Sequence, residues 1–537
     1  AGGAATLTDK SNTPLAGLIP AAAYAERTVL PTIDGKPLTD FLDRQDRVLA
    51  ALVDWRASRS APATADQDVD RIRLFDSRFD HALAVAAGVT LSIASRAPVL
   101  VPGVQSTFSI ILANSGIGGA HVNDLRFNGW GENVRLQTAE VLLPDTETVI
   151  TVDETTPKNA PFNVPQEAHL YDGIFLGKRF SARADLELDG AKFSVNAEEL
   201  LDVAPPVEIR KVSPSPQVWT PNHAPGMSFT AVLRNNLARP FRGVLSLNSR
   251  VLGISAVGTN VSLQPNETRS IELRSPAGAP HQSPLAPTAR GNADVANLIV
   301  EDSDANAVSK RSVPVIFSDA RVAPQLNVGY VPSFDQTIEH SLAALGVKSK
   351  ALTIDEIKAA DLSSYTTIII DNRGYEAHPE LIAANSRLLE FVAAGGTLIV
   401  FYHKDNEWNP DVKKNRPQLA PYSIILDDKR VTDETAPITL LQPRHPLLNS
   451  PNKITNADFA NWIQERGLYY PKQWDEHYTV IFSTNDPGEP ALTSGLLVAA
   501  HGKGNYIYTS MVWYRELRAA VPGAYRMFAN MISYGRK

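Results

Sequence analysis

The chain has no cysteine among its 537 residues. That single absence excludes disulfides, thiolate metal ligands and a cysteine nucleophile. There is also no apolar run of about 18 residues, the length a spanning helix needs, so no transmembrane segment is expected. The net charge of −7 has no basic block to offset it, which argues against a phosphate-backbone partner and hence against nucleic acid. None of the histidines forms the His-x-x-His or His-x-x-x-His helical pair that suggests zinc. What remains is ordinary: 43% hydrophobic and 20% charged residues suit a folded chain. The length calls for three or four units at roughly 100–200 residues each.

The chain starts at Ala1, and AGGAATLTDKSNTPLAG carries neither the basic n-region nor the apolar h-region of an intact leader. The expectation is therefore a processed or excerpted terminus. Residues 1–36 read as a lead-in. Thr39 is a candidate N-cap for a helix marked by Phe41, Val48, Leu52 and Trp55. After a Ser/Ala/Pro linker at 57–65, a second helix over 66–87 places Val69, Ile72, Phe75, Phe79 and Leu83 on one face and stops at Gly88. The two helices read either as a bridge between domains or as a plain hairpin.

From Val89 the period becomes alternating, with strands expected at Thr107–Asn114, Val134–Leu143, Thr148–Val152 and Phe180–Leu188. The pattern then recurs. Phe108 to Phe229, Asn114 to Asn235 and Pro144 to Pro265 share one displacement of 121 positions, which chance matches would not share. Two tandem Ig-like β-sandwiches follow from this, over 89–204 and 205–318, joined at Ala204-Pro205-Pro206.

After Pro324 strands and helices alternate. Strands are expected at Leu326–Val331, Ala351–Ile354, Thr366–Ile370 and Thr397–Tyr402, and helices at Asp335–Leu345 and Pro379–Ala394. Such alternation implies a parallel sheet covered on both faces, an α/β domain over 319–537 of flavodoxin-like or class I glutamine-amidotransferase-like type. The working edge of such a sheet is its strand C-termini. One crevice should therefore collect the loops Pro332–Gln336, Asp371–His378 and His403–Trp408.

The last of these sits where an amidotransferase-like sheet presents its nucleophile elbow, which needs Cys or Ser among small residues. Tyr402-His-Lys-Asp-Asn-Glu-Trp408 offers neither. It is read as a ligand-contacting or merely solvated loop, with His403, Lys404, Asp405 and Trp408 as candidates and Trp408 as a stacking platform. His378-Pro379-Glu380 opens a helix with Pro at N1 and is not a metal motif. Gly502-Lys503-Gly504 precedes a strand, the reverse of a phosphate loop. The stretch Arg430–Tyr470 is dense in charge, proline and aromatics, a composition typical of functional loops. Arg430, Glu434, His445, Lys453, Trp462, Glu465 and Arg466 are its ligand-binding candidates. Glu465-Arg466 is expected to pair with Arg430 or Glu434.

The segments Arg430-Val-Thr-Asp-Glu-Thr-Ala-Pro437, His445-Pro-Leu-Leu-Asn449, Pro451-Asn-Lys-Ile-Thr455, Trp462–Tyr469, Asp486-Pro-Gly-Glu489 and Val521–Asn530 resemble the C-terminal region of large bacterial PIG-L (LmbE-like) deacetylases. The resemblance covers about 320–537 strongly and the preceding helices and sandwiches more weakly. It implies an exported, bacterial enzyme acting on N-acetylated sugars, with a zinc-dependent catalytic domain ahead of sandwich modules and an amidotransferase-like terminal domain. The family's His-Pro-Asp-Asp motif and later His pair have no match here, so no catalytic or metal residue carries over. The expected role is a non-catalytic, substrate-positioning portion whose partner is that zinc domain, with no cofactor of its own, a glycan as a possible ligand, and a secreted or periplasmic location. The alternatives are a stand-alone envelope binding protein, or a hydrolase built from His403, Asp405, His445 and Glu465.

Overall fold

The 121-residue repeat is visible in the backbone. A computed structural model describes residues 31–41, 43–58, 69–131, 133–164, 177–221, 226–249, 254–276 and 294–536. The chain divides into two compact units, one ending at Pro206 and one beginning at Val207. Among the described residues no helix is long and apolar enough to cross a membrane.

In the first unit, helices α1 (Gln45–Ala57) and α2 (Val69–Ala87) precede a sandwich. One sheet holds β1 (Val89–Ser95), β2 (Gln105–Asn114) and β4 (Thr146–Thr155), with β2 central. The other holds β3 (Ala120–Asn128), β5 (Lys178–Leu188) and β6 (Ala191–Leu201). Strand β2 alternates strictly, burying Phe108, Ile110 and Leu112, so one face of the pleat supplies the core. The expected strand over Val134–Leu143 is only two short ribbons, Val134–Arg135 and Val141–Leu142.

The helices are a hairpin docked on this sandwich. Leu52, Val53, Phe79 and Leu83 share a core with Leu112, Leu186 and Phe193, and Trp55 stacks on Phe79 at 4.3 Å. Arg56 donates to Asp80 (2.9 Å) and to the Lys192 carbonyl (2.9 Å), and Asp80 accepts from the Ser194 amide (3.1 Å). Thr39 does not cap α1: it lies in a separate 3-10 turn, Leu38–Phe41, and the helix begins after Arg44. The side chains of Val69 and Ile72, most of the lead-in and most of the linker at 57–65 lie outside the described residues.

The second sandwich repeats the plan. Strands β7 (Val207–Ser213), β8 (Ser228–Asn235) and β11 (Thr268–Arg274) form one sheet. The other runs from β10 (Ile254–Leu263) through β9 (Phe241–Ser249) and β12 (Asp294–Asp302) to β13 (Ala307–Phe317).

A buried asparagine ends the central strand in each copy. Asn114 donates to the carbonyls of Gly118 (2.8 Å) and Leu142 (3.1 Å) and accepts from the Gly116 amide (2.9 Å). Asn235 donates to Arg239 (2.9 Å) and Gln264 (3.0 Å) and accepts from Leu237 (3.0 Å). Each amide thus holds the same turn through the groups two and four residues on, pairing backbone groups that the strand end leaves without ladder partners.

The second unit continues into β14 (Asn327–Val331), α3 (Thr337–Ala344), β15 (Lys348–Ala351), α4 (Ile354–Ala359), β16 (Thr367–Ile370), α5 (Leu381–Ala393) and β17 (Thr397–Val400). An antiparallel ribbon of β18 (Ile424–Leu426) and β19 (Pro471–Trp474) follows, then β20 (Thr479–Val480), β21 (Leu496–His501), β22 (Gly504–Thr509), α6 (Trp513–Arg518) and α7 (Pro522–Ser533). One seven-stranded sheet runs β15-β14-β16-β17-β22-β21-β20, parallel from β15 to β22 and antiparallel beyond. Ile369, Ile399 and Ile507 face α3 and α7, while Ile368, Leu398 and Tyr506 face α4 and α5.

The expected second strand, Ala351–Ile354, is misplaced: β15 ends at Ala351, and Thr353 instead caps α4 in a capping box with Glu356. Thr-x-x-Glu is the signature of that box. The second sandwich and the sheet share a core in which Val218 and Ala320 join Ile338 and Leu342, and Thr220 donates to the Ala344 carbonyl (2.7 Å).

If the paired asparagines hold their turns, Asn114→Ala and Asn235→Ala each leave three backbone groups unpaired. Each should lower unfolding stability by about 2–4 kcal/mol in urea titrations, whereas alanine at the exposed Asn196 of β6 should change it by less than about 0.5 kcal/mol.

Candidate functional site

The chain passes from β14 outward to β15, then back across to β16 on the other side of β14. The gap between β14 and β16 is therefore the point at which the sheet's winding reverses, where open α/β sheets leave a crevice. The three loops expected there do meet. Ser333 donates through its hydroxyl (2.7 Å) and amide (3.3 Å) to Asp371. His378 contacts the Pro332 carbonyl through Nε2 (2.9 Å). Arg373 donates from Nε (2.9 Å) and Nη2 (2.6 Å) to Glu407. Its guanidinium also lies 5.3 Å from the exposed ring of Phe334.

The electrostatics of this edge are closed internally. Asp371 is buried, and the loss of water raises its carboxyl to about 6 against the pull of the Ser333 bonds. Burial likewise pushes Glu407 up, while its hydrogen bond to Glu376, helped by Arg373, holds Glu376 down. The two glutamates and Arg373 thus form one unit with its charge largely spent. Arg373 occupies the left-handed region at φ 55°, strain that the Glu407 and Tyr402 contacts must offset; its amide donates to the Tyr402 carbonyl at 2.9 Å. On the far rim Arg515 pairs with Glu465 (2.8 Å) and Arg518 with Asp335, both guanidiniums lying over Tyr514.

His403 is fully buried. Nδ1–H donates to the Phe401 carbonyl (2.8 Å) and Nε2 accepts from the Tyr375 amide (3.2 Å). Burial depresses the ring to about 3, so it stays neutral and both nitrogens serve the turn. Trp408 is 1% exposed and donates to the Ile424 carbonyl at 3.0 Å, so the expected stacking platform is a core residue. Lys404 and Asp405 are half-buried at the start of the short helix Asp405–Trp408.

The Arg430–Tyr470 candidates do not converge. Arg430 is exposed, and Lys453 is exposed with its carbonyl accepting from Arg526 (2.7 Å). Glu434 is half-buried near Arg466. Arg466 is buried and donates to the carbonyls of Ala436 (2.9 Å) and Phe459 (2.6 Å) beneath the buried ring of Trp462. Glu465 pairs with Arg515, not with Arg430 as expected.

His445 caps the turn Pro446–Leu448 and stacks on Tyr534. The Tyr534 carbonyl accepts from Thr397 at the start of β17, whereas His403 follows that strand's other end. His403 and His445 are thus associated with opposite ends of β17 and are not brought together. Among the described residues no group of three histidines and carboxylates converges as a metal site would.

Sequence reasoning missed Asp371, Arg373, Glu407 and Glu516. A carboxylate directly after the apolar run Thr367–Ile370 was a usable signal for Asp371. The left-handed turn at Arg373 has none.

No family profile and no curated protein matches this chain. Solved structures with local likeness include a β-galactosidase from Rahnella sp. R3 (15% identity over 41% of this chain and 32% of that one, TM-score 0.24). Others are the red sea bream transglutaminase (17%, 47% and 34%, TM-score 0.21) and a CARDB domain from Pyrococcus furiosus (15%, 22% and 87%, TM-score 0.15). The chain spans about a third of the length of the β-galactosidase it matches.

Glu516 on α6 gives a pH test. It is fully buried and accepts from the Ile463 amide at 3.1 and 3.2 Å, and burial raises it to about 8. A carboxyl raised in the folded state takes up a proton on folding. Its stabilising contribution is full below pH 4.5 and is lost as pH rises through 8. The unfolding free energy from urea titrations should fall between pH 5 and 8 by on the order of 1 kcal/mol per pH unit, and Glu516→Gln, which keeps the acceptor, should flatten that slope.

Proposed function

We propose that the chain is a non-catalytic, substrate-positioning part of an exported PIG-L-type N-deacetylase whose zinc-bearing domain lies outside these residues. The observation that carries this reading is the turn after β17. His403 stands where an amidotransferase-like sheet would place its nucleophile, and it is a neutral, fully buried histidine with both nitrogens committed to backbone groups.

The parallel strand order β15-β14-β16-β17-β22 supports a flavodoxin-like reading of the terminal sheet, since it is the order of that doubly wound class. The segments that carry the family resemblance support it in another way, because they interlock as structure. Asn452 donates to Asn530, which donates in turn to the Leu447 carbonyl, and Asp486 accepts from Thr432 and Asp433. A scaffold that keeps such segments for packing suits a positioning role, with a secreted or periplasmic location following from the family.

Acetate release measures this directly. The chain alone should release no acetate from N-acetylglucosaminides. Supplied to a zinc deacetylase domain of the resembled family, it should lower KM on polymeric substrate several-fold and leave KM on the monosaccharide unchanged. Acetate release by the purified chain, abolished by a substitution within it, would sink the proposal.

A further inference from the structure

Beside the ribbon of β18 and β19 lies a cleft of about 250 Å³ that none of the preceding chemistry uses. We infer that it binds one carboxylated sugar ring, such as a hexuronate at the end of a glycan. Its wall is built by the ribbon's register. Trp474 pairs with Ile424 and Gln473 with Ile425. Beyond the irregularity, backbone bonds from Asp427 to Tyr470 (3.0 Å) and from Tyr470 to Lys429 (3.1 Å) carry the pairing on. Lys472, the unpaired residue at that irregularity, and Trp474 both line the cleft. Asp427 and Lys429 line the cleft from the facing segment, and Thr493 closes it.

Three features of this cleft match one ligand chemistry. Trp474 is half-buried, packed against the core that covers one face of the sheet and also lining the cleft. An indole so placed offers a flat apolar surface to the C–H face of a pyranose. Lys429 and Lys472 are both exposed and neither takes part in an ion pair among the described residues. Two lysines against the single carboxylate of Asp427 leave the cleft with a net positive charge, which attracts an anion. Asp427 adds an acceptor for hydroxyl hydrogens, which a simple inorganic anion would not use.

The cleft falls below the roughly 300–1,000 Å³ of pockets for drug-sized ligands, so it suits a single ring. A nucleic-acid strand is disfavoured by the carboxylate in the wall and the net charge of −7. The inference does not depend on the deacetylase reading. Acetate release by the chain would end that reading and leave the cleft's ligand untouched.

The full chain would be titrated with glucuronate, glucose and acetate, following tryptophan fluorescence and calorimetry at two salt concentrations. Glucuronate should bind at least ten-fold more tightly than either control, and more weakly at high salt. Lys429→Gln with Lys472→Gln, both at exposed positions, should reduce glucuronate binding at least ten-fold. Trp474→Ala should abolish it, and Trp474→Phe should restore part, with circular dichroism unchanged. Equal binding of glucuronate and acetate, no binding of glucuronate, or binding that survives the double lysine substitution would each overturn the inference.

Discussion

Buried irregular backbone has to find hydrogen-bond partners for its peptide groups, and this requirement shapes the protein more than any other. In a regular sheet the ladder supplies those partners; where the chain turns or wanders, side chains must. Asn114 and Asn235 do this at the ends of the two central sandwich strands. Asn452 and Asn530 do it between the Pro451 turn and α7, and Arg466 does it for the carbonyls of Ala436 and Phe459. Glu516 holds the Ile463 amide at the cost of a carboxyl held out of water. Removing any of these leaves the desolvation penalty of the backbone group without its compensation.

The same requirement explains the chemistry of the long excursion between β17 and β21. Its polar residues are dense because its backbone is irregular and much of it is buried. Asp486 gathers the amides of Thr432 and Asp433, and Asp458 caps its own turn while pairing with Arg526 (2.7 Å). Charge density in a loop is thus ambiguous. It can mark a surface that meets a ligand, or an interior that needs internal partners, and here the second applies to most of the stretch.

The edge where the sheet's winding reverses is filled by its own groups. Arg373 is satisfied by Glu407 and Glu376, Asp371 by Ser333, and His403 by two backbone groups. Each bond fixes the geometry of this edge. The ribbon of β18 and β19 differs in kind, because its tryptophan, lysines and aspartate face an open cleft.

Periodicity and repetition were enough, by themselves, to determine the two sandwiches and the alternation of strands and helices after Pro324. Side-chain period and the 121-residue displacement are local properties of the chain, carried by residues such as Phe108, Phe229, Ile369 and Ile399. The short β15 and the helix capped by Thr353 were misplaced although the Thr-x-x-Glu signal was present. Burial was decided only by the tertiary structure. Whether Trp408 and Trp462 stack on a ligand or fill a core, whether Glu465 meets Arg430 or Arg515, and whether His403 and His445 share a site all depend on distances set by strands remote in sequence. The cleft at Trp474 is of the same kind, since its walls come from segments near positions 427, 472 and 493 that only the folded ribbon brings together.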